Sequence, residues 1–327
     1  MANSTNSATT ITALHSDIIQ SHILTRLDGP TLASTSSSTS HLRSLCTQNP
    51  LWREICTATW PSLQQPLADS LISTFPTAHR SIFSDSFPSL HDSPLPHKLP
   101  PSPPPPELIS AVDLYYKGKP VLSRVIRTET EKSWFLTSPL WIDLLETNEM
   151  VQTPVKLAPN VEDREWLNHV EENLTLSWIV INPANQRAAN LSSRFPVSVR
   201  RHWFTGEVEI LYAVAMGAVQ WTVKVTCCGK AGGEMHVREV SLAMEDADGR
   251  HVIGGECMMV LQAAMEGGKR RKVVAEEAKK SFERFCLVKR ERRERRLKRE
   301  KALDMSVMLV SFAVVFTLLF RLVTYWA

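Results

Sequence analysis

Six cysteines and ten histidines are the residues best able to bind a metal or attack a substrate, and their spacing supports neither chemistry. Cys46, Cys56, Cys227, Cys228, Cys257 and Cys286 contain no Cys-x-x-Cys pair, and the histidines are scattered without ligand spacing. No Gly-x-Ser-x-Gly, His-Glu-x-x-His, phosphate-loop or dinucleotide fingerprint occurs. The vicinal pair Cys227 and Cys228 could hold a metal, but adjacent strand residues point to opposite faces. That predicts one thiol in a core and one outside. A non-catalytic chain without a cofactor follows, whose chemistry is recognition. One run suits a target-binding patch: Arg200, Arg201, His202 and Trp203, together with Trp178. Its plainer reading is an amphipathic strand end.

Such side chains need a scaffold, and 327 residues with 43% hydrophobic content suffice for two domains and extra segments. Sparse cysteines argue for reduced thiols in cytosol or nucleus, and the polar, uncharged stretch from Met1 to Thr12 lacks the features of a secretory signal. The chain is expected not to be exported. The net charge of +3 is uneven, because Lys269 to Lys301 alone carries +10 and residues 1–268 carry −7. Basic charge confined to one segment argues against a nucleic-acid-binding face.

From Ile109 to Ala264 short apolar runs rich in β-branched and aromatic residues alternate with turn signals. Strands are expected at Ala111 to Tyr116, Val121 to Arg127, Trp141 to Leu145, Leu174 to Ile181, Val197 to Trp203, Val208 to Ala215, Val219 to Thr226, Met235 to Met244 and Met258 to Ala264. Lys117-Gly118, the Gly229 to Gly233 segment and Asp246 to Gly249 suit the connections. The pattern predicts an antiparallel sandwich or barrel over 109–267, since no helices alternate with the strands as a parallel sheet requires. Upstream, residues 62–108 read as a Pro/Ser-rich linker. Eight of the 20 prolines lie between Ser93 and Glu107, favouring a stiff extended spacer or a docking site for a proline-recognising domain.

Beyond Gly267-Gly268, Val274, Ala278, Phe282 and Phe285 recur at helical spacing, predicting a basic amphipathic helix over 268–303. Met305 to Phe320 carries no charge, and Arg321 then precedes Tyr325 and Trp326. At 1.5 Å per residue, Met305 to Ala327 spans roughly 34 Å against a hydrocarbon core of about 30 Å. Residues 304–327 are therefore expected to form a transmembrane tail anchor, contacting lipid from Met305 to Trp326. The nine basic residues of Lys289 to Lys301 would stay cytosolic, with the N-terminus on the same side, the endoplasmic reticulum being the expected membrane. An apolar oligomerisation helix is the alternative for the tail, and a nuclear localisation signal the alternative for the basic run.

At the other end, residues 11–61 read as three short helices. Leu14, Ile18, Ile19, Ile23, Leu24 and Leu27 share one face, Asp17 lies in the first turn, and Asp28-Gly29-Pro30 stops one helix and opens the next. Leu42 and Leu45 follow a serine-rich stretch, and Leu51, Trp52, Ile55 and Cys56 form a third group. Some 48 residues cannot enclose so many large side chains, so apolar surface is expected to await a partner.

The order Leu14-His15-Ser16-Asp17-Ile18-Ile19, Ile23-Leu24-Thr25-Arg26-Leu27-Asp28, Leu42-Arg43-Ser44-Leu45, Leu51-Trp52-Arg53-Glu54-Ile55-Cys56 resembles an F-box in its plant form. The run Glu172 to Ile181, Arg187 to Ser193, Val197 to Trp203 and Val237 to Leu242 resembles the domain that follows it in one group of plant F-box proteins. The resemblance implies an α+β multi-domain protein: a small three-helix F-box, a β-rich domain, a basic helix and a single transmembrane helix. It implies a substrate-recruiting subunit of an SCF-type ubiquitin ligase, docking a Skp-type adaptor, and through it a cullin, by Leu14, Asp17, Ile18, Ile23, Leu24, Leu27, Leu51 and Trp52. The β-rich domain would hold an unknown protein target. A lectin-like module that stacks sugars on tryptophan, or a membrane scaffold independent of ubiquitin transfer, are the rival readings.

Overall fold

A computed structural model describes residues 14–90, 103–160, 163–268, 270–272 and 274–326. The first helical segment starts as α1 (Ser16–Ile18), runs through a π turn at Ile19–Ile23 and ends in a 3₁₀ turn at Leu24–Arg26. The His15 ring accepts from the Asp17 amide at 3.4 Å and caps the helix. Asp28 caps α2 (Gly29–Thr35) through the Thr31 amide at 2.9 Å, with Pro30 in the first turn. The serine-rich stretch breaks the expected middle helix in two. Ser34, Thr35, Ser36 and Ser37 donate their hydroxyls to preceding carbonyls, and Thr39 caps a fresh helix, α3 (Ser40–Cys46). Then come α4 (Asn49–Thr59), α5 (Pro66–Ser73) and α6 (His79–Ser86).

The last two helices lie where a linker was expected. Their apolar residues, Ala68, Ile72, Ile82 and Phe83, are too widely spaced among serines to show in a plain reading of the sequence, yet all four are buried. Phe83 fills the centre of the module, its ring 5.2 Å from that of Trp52 and 5.8 Å from that of Trp60. Gly29 has to be glycine there, because a Cβ would stand 2.1 Å from the Phe83 ring. Much of the apolar surface expected to await a partner is thus covered from within. The expected proline spacer falls mainly on residues 91–102, outside the described residues; whatever its course, the parts it joins are in direct contact.

Among the described residues ten strands form two antiparallel sheets. The four-stranded sheet has the order β2 (Lys119–Glu129), β1 (Glu107–Tyr116), β5 (Leu174–Asn182), β6 (Arg187–Asn190). Lys117 and Gly118, both at positive φ, close the β1–β2 hairpin, the backbone twist that such a two-residue connection requires. The larger sheet has the order β3 (Trp141–Asp143), β10 (Glu234–Asp246), β9 (Val219–Cys228), β8 (Val208–Met216), β7 (Ser198–Arg201), with β4 (Val151–Lys156) also on β10. A register shift between Val237 and Glu239 moves the inward positions of β10 from Met235 and Val237 to Val240, Leu242 and Met244. That extra residue keeps every large apolar side chain on the core side.

Strict alternation explains how the layers stack. Leu108, Val112, Leu114, Trp178 and Val180 face the larger sheet, while Ile109, Ala111, Ile179, Ile181 and Ala188 face the helical module. Three buried isoleucines at roughly 1.5–3 kcal/mol each contribute about 5–9 kcal/mol before entropy, comparable with the net stability of a whole domain. Polar contacts fix the register of this docking. Asp113, fully buried, accepts from the Ser62 amide at 2.9 Å and the Ser62 hydroxyl at 2.5 Å. Asp85 receives Arg187 at 2.8 and 3.1 Å and the Ala188 amide at 3.1 Å, and Gln65 bonds the outer edge of β2 at Ser123 and Val125.

Two further short helices, α7 (Ser133–Thr137) and α8 (Arg164–Asn173), flank the sheets. The run expected as a ninth strand, Met258 to Ala264, is instead helical within α9 (Gly254–Gly267). Cys257, Met258, Val260, Leu261, Ala264 and Met265 all enter the core, and a helix buried on most sides looks the same as a buried strand in a short apolar run. The basic stretch and the apolar tail form one helix of 52 residues, α10 (Ala275–Trp326). Its first turns lie on the larger sheet. Phe285 is buried, Lys279 pairs with Glu171, Lys289 with Glu245, and Arg292 with Asp248 at 3.6 Å. Its apolar part is long enough and apolar enough to cross a membrane.

Candidate functional site

The eight residues expected to meet an adaptor divide by exposure. Leu24, Leu51 and Trp52 are core residues, with the Trp52 indole donating to the Cys46 carbonyl at 2.7 Å. Ile23 and Leu27 are half-buried against that core. Leu14 and Ile18, 43% and 47% exposed, stand in solvent with Asp17 between them. The arrangement presents a small apolar strip with an anion at a helix start, while the buried three support it from behind. Helical spacing placed six of these residues on the first helix and Leu51 and Trp52 on a later one, but it does not show the packing of α5 and α6 that covers part of the module.

The second expected patch also divides. Trp178 lies at 0% exposure on the core face of β5, so it presents no surface to a target. The alternation of β5 puts even-numbered residues inward, which a strand read in isolation does not disclose. Arg201 has a structural duty, donating to the carbonyls of Ala158 at 2.7 Å, Asn160 at 3.2 Å and Gly206 at 3.0 Å. Arg200 pairs with Glu209 at 3.1 Å, and His202 accepts from the Thr205 amide at 3.1 Å to shape the turn. What that turn displays is Trp203 and its neighbour Phe204, 81% and 77% exposed, edge to face with centroids 5.6 Å apart. Phe204 is the residue the sequence reading passed over.

A cleft of about 1020 Å³ opens between the outer edge of β2 and the segment from β3 to Glu149, with exposed Trp134 and Trp141 beside it. Arg124 braces it, donating to Glu149 and to the Leu144 carbonyl, and that contact holds the Glu149 carboxyl down at about 2. Burial pushes Cys56 of α4 and Cys227 of β9 up to about 12, while Cys228, on the opposite face of that strand, is only half-buried. Among the described residues no group of His, Cys, Asp or Glu is placed to hold a metal ion.

These surfaces belong to a helical module packed on a β-sandwich, followed by a helix with a long apolar end, with exposed hydrophobic strips. Comparison with known proteins gives the family. F-box protein At2g27310 of Arabidopsis thaliana is 42% identical over 319 residues, covering 93% of this chain and 94% of that protein. The same plant's probable F-box protein At2g36090 is 44% identical over 324 residues, covering 96% and 95%, and F-box protein At3g44326 is 46% identical over 275 residues, covering 80% and 75%. The chain belongs to the plant F-box proteins. No protein-family model matches it, and no solved structure gives a significant match.

Proposed function

We propose that this chain recruits a protein target to an SCF-type ubiquitin ligase, with its helical module as the handle for a Skp-type adaptor and, through that, a cullin. The observation that carries the reading is the strip of Leu14 and Ile18, left in solvent at the start of a module whose large side chains, these two and Leu67 apart, are mostly covered. Its apolar burial would drive association, with Asp17 setting register at the rim. The β-rich part then offers the target a surface, with the Trp203–Phe204 turn and the β2–β3 cleft as the exposed choices. Holding both partners on one rigid body raises the effective concentration of a target lysine near the ubiquitin carrier. The apolar end of α10, Met305 to Trp326, tethers the assembly to a membrane, with the basic run on the cytosolic side.

Co-expression with adaptors of the same plant tests this. The Leu14→Glu/Ile18→Glu double variant is expected to lose adaptor co-purification while keeping the wild-type melting temperature, and undiminished co-purification would refute the reading. Alkaline carbonate extraction tests the tether, since release into the supernatant would mean that the tail is not embedded.

A further inference from the structure

The end of α4, the segment after α6, the start of β5 and the base of α10 line a half-open cavity of about 540 Å³, within the roughly 300–1,000 Å³ of small-molecule sites. Trp60, Phe87 and Phe195 give it aromatic walls. Two cations, Arg194 and Lys272, stand exposed in its lining. The Arg194 guanidinium lies 5.7 Å from the Phe195 ring centre, and neither cation is within ion-pair distance of a carboxylate among the described residues, although the Asp28 carboxylate acts on Lys272 from farther off. Elsewhere on the same body Arg53, Arg124, Arg127, Arg187 and Arg238 each face a carboxylate. A further polar group is unused in this wall: the Ser86 hydroxyl, 1% exposed, has no hydrogen-bond partner among the described residues. Buried hydroxyls rarely stay unpaired, so this one marks a place for an acceptor.

Two unpaired cations and an unpaired donor around an aromatic cavity have one shared chemical complement. We propose that this cavity binds a small carboxylate with a flat apolar body, the acid group held by Arg194 and Lys272 and the body lying against Trp60, Phe87 and Phe195. Guanidinium and carboxylate pair in a bidentate geometry that a neutral amide cannot reproduce, which gives the site its selectivity for charge. The site is distinct from the adaptor strip at Leu14 and Ile18, and its test involves no adaptor.

The probes are biphenyl-4-carboxylate and biphenyl-4-carboxamide, equal in shape and different in charge, titrated by calorimetry into the full chain in lipid nanodiscs with empty nanodiscs as reference. The carboxylate is expected to bind saturably at one per chain, and the amide at least about tenfold more weakly, the loss of a charge-assisted contact. Arg194→Gln is expected to weaken the carboxylate about tenfold and Lys272→Gln severalfold, with Lys230→Gln, a cation in the exposed β9–β10 turn, unchanged. Melting curves confirm that each variant is folded, and the comparison of the two probes on the unaltered chain needs no variant. Equal binding of acid and amide, no saturable binding above empty nanodiscs, or full affinity in a folded Arg194→Gln/Lys272→Gln chain would each overturn the proposal.

Discussion

Removing the Trp52 side chain should unfold what removing Ile18 leaves standing, although the two are hydrophobic residues of the same fifty-residue stretch. Trp52 is 2% exposed, its ring lies 5.2 Å from that of Phe83, and its indole donates to the Cys46 carbonyl. Truncating a buried tryptophan to alanine costs about 3–5 kcal/mol, and the carbonyl it leaves without its donor is part of that loss. Against a net stability of about 5–15 kcal/mol this is a large fraction. Ile18 keeps nearly half its surface in water already, so Ile18→Glu forfeits about 1 kcal/mol or less of burial. The assay is urea unfolding of the full chain in detergent, followed by circular dichroism and tryptophan fluorescence. Trp52→Ala is expected to lower the midpoint sharply, and to destabilise the four-stranded sheet as well, because Ile109, Ile179 and Ile181 share the core with Trp52. Equal losses for Trp52→Ala and Ile18→Glu, or a Trp52→Ala cost under about 1 kcal/mol, would refute the division into supporting and presenting residues.

Burial raises the Asp113 carboxyl above its ordinary value, so the folded state holds its proton to higher pH than the unfolded chain does. Stability contributed by the protonated form therefore falls as pH rises from about 4. Asp113→Asn is expected to abolish that slope, and its advantage over the wild type in urea midpoint should grow between pH 4 and pH 7. Gly29→Ala should lower the melting temperature through the clash with Phe83, at about 1–3 kcal/mol, and Phe83→Leu in the same chain should restore part of it. Maleimide at neutral pH is expected to label Cys228 and Cys286 alone, read by mass spectrometry, with Cys46, Cys56, Cys227 and Cys257 reacting only in denaturant.

Eight of the ten strands were legible because alternation and turn residues are local signals. The hairpin at Lys117-Gly118 and the stop at Asp28-Gly29-Pro30 are of this kind. The short strands β4 and β6 were missed, since Val151–Lys156 carries an internal proline and Arg187–Asn190 is too short to show a period. Other features arise only in three dimensions. Nothing near Met258 distinguishes a buried helix from a buried strand, and Phe83 becomes a core residue only because Gly29 leaves room for it. Trp178 shows the same limit for the site: aromatic character marks a binding residue or a core residue alike, and strand register decides which. The adaptor strip was half legible, since the spacing identified the helix face but not the cover that α5 and α6 supply.

The unbroken course of α10 has a mechanical consequence. Its last ion pair with the body among the described residues is Arg292 on Asp248, and the uncharged stretch starts at Met305. Thirteen helical residues make a stalk of about 20 Å. If the tail is embedded as proposed, the body stands off the bilayer by up to that distance on a stiff rod with no hinge. Tilting the embedded end would then swing the whole head, and with it the lysines a captured protein could offer for modification.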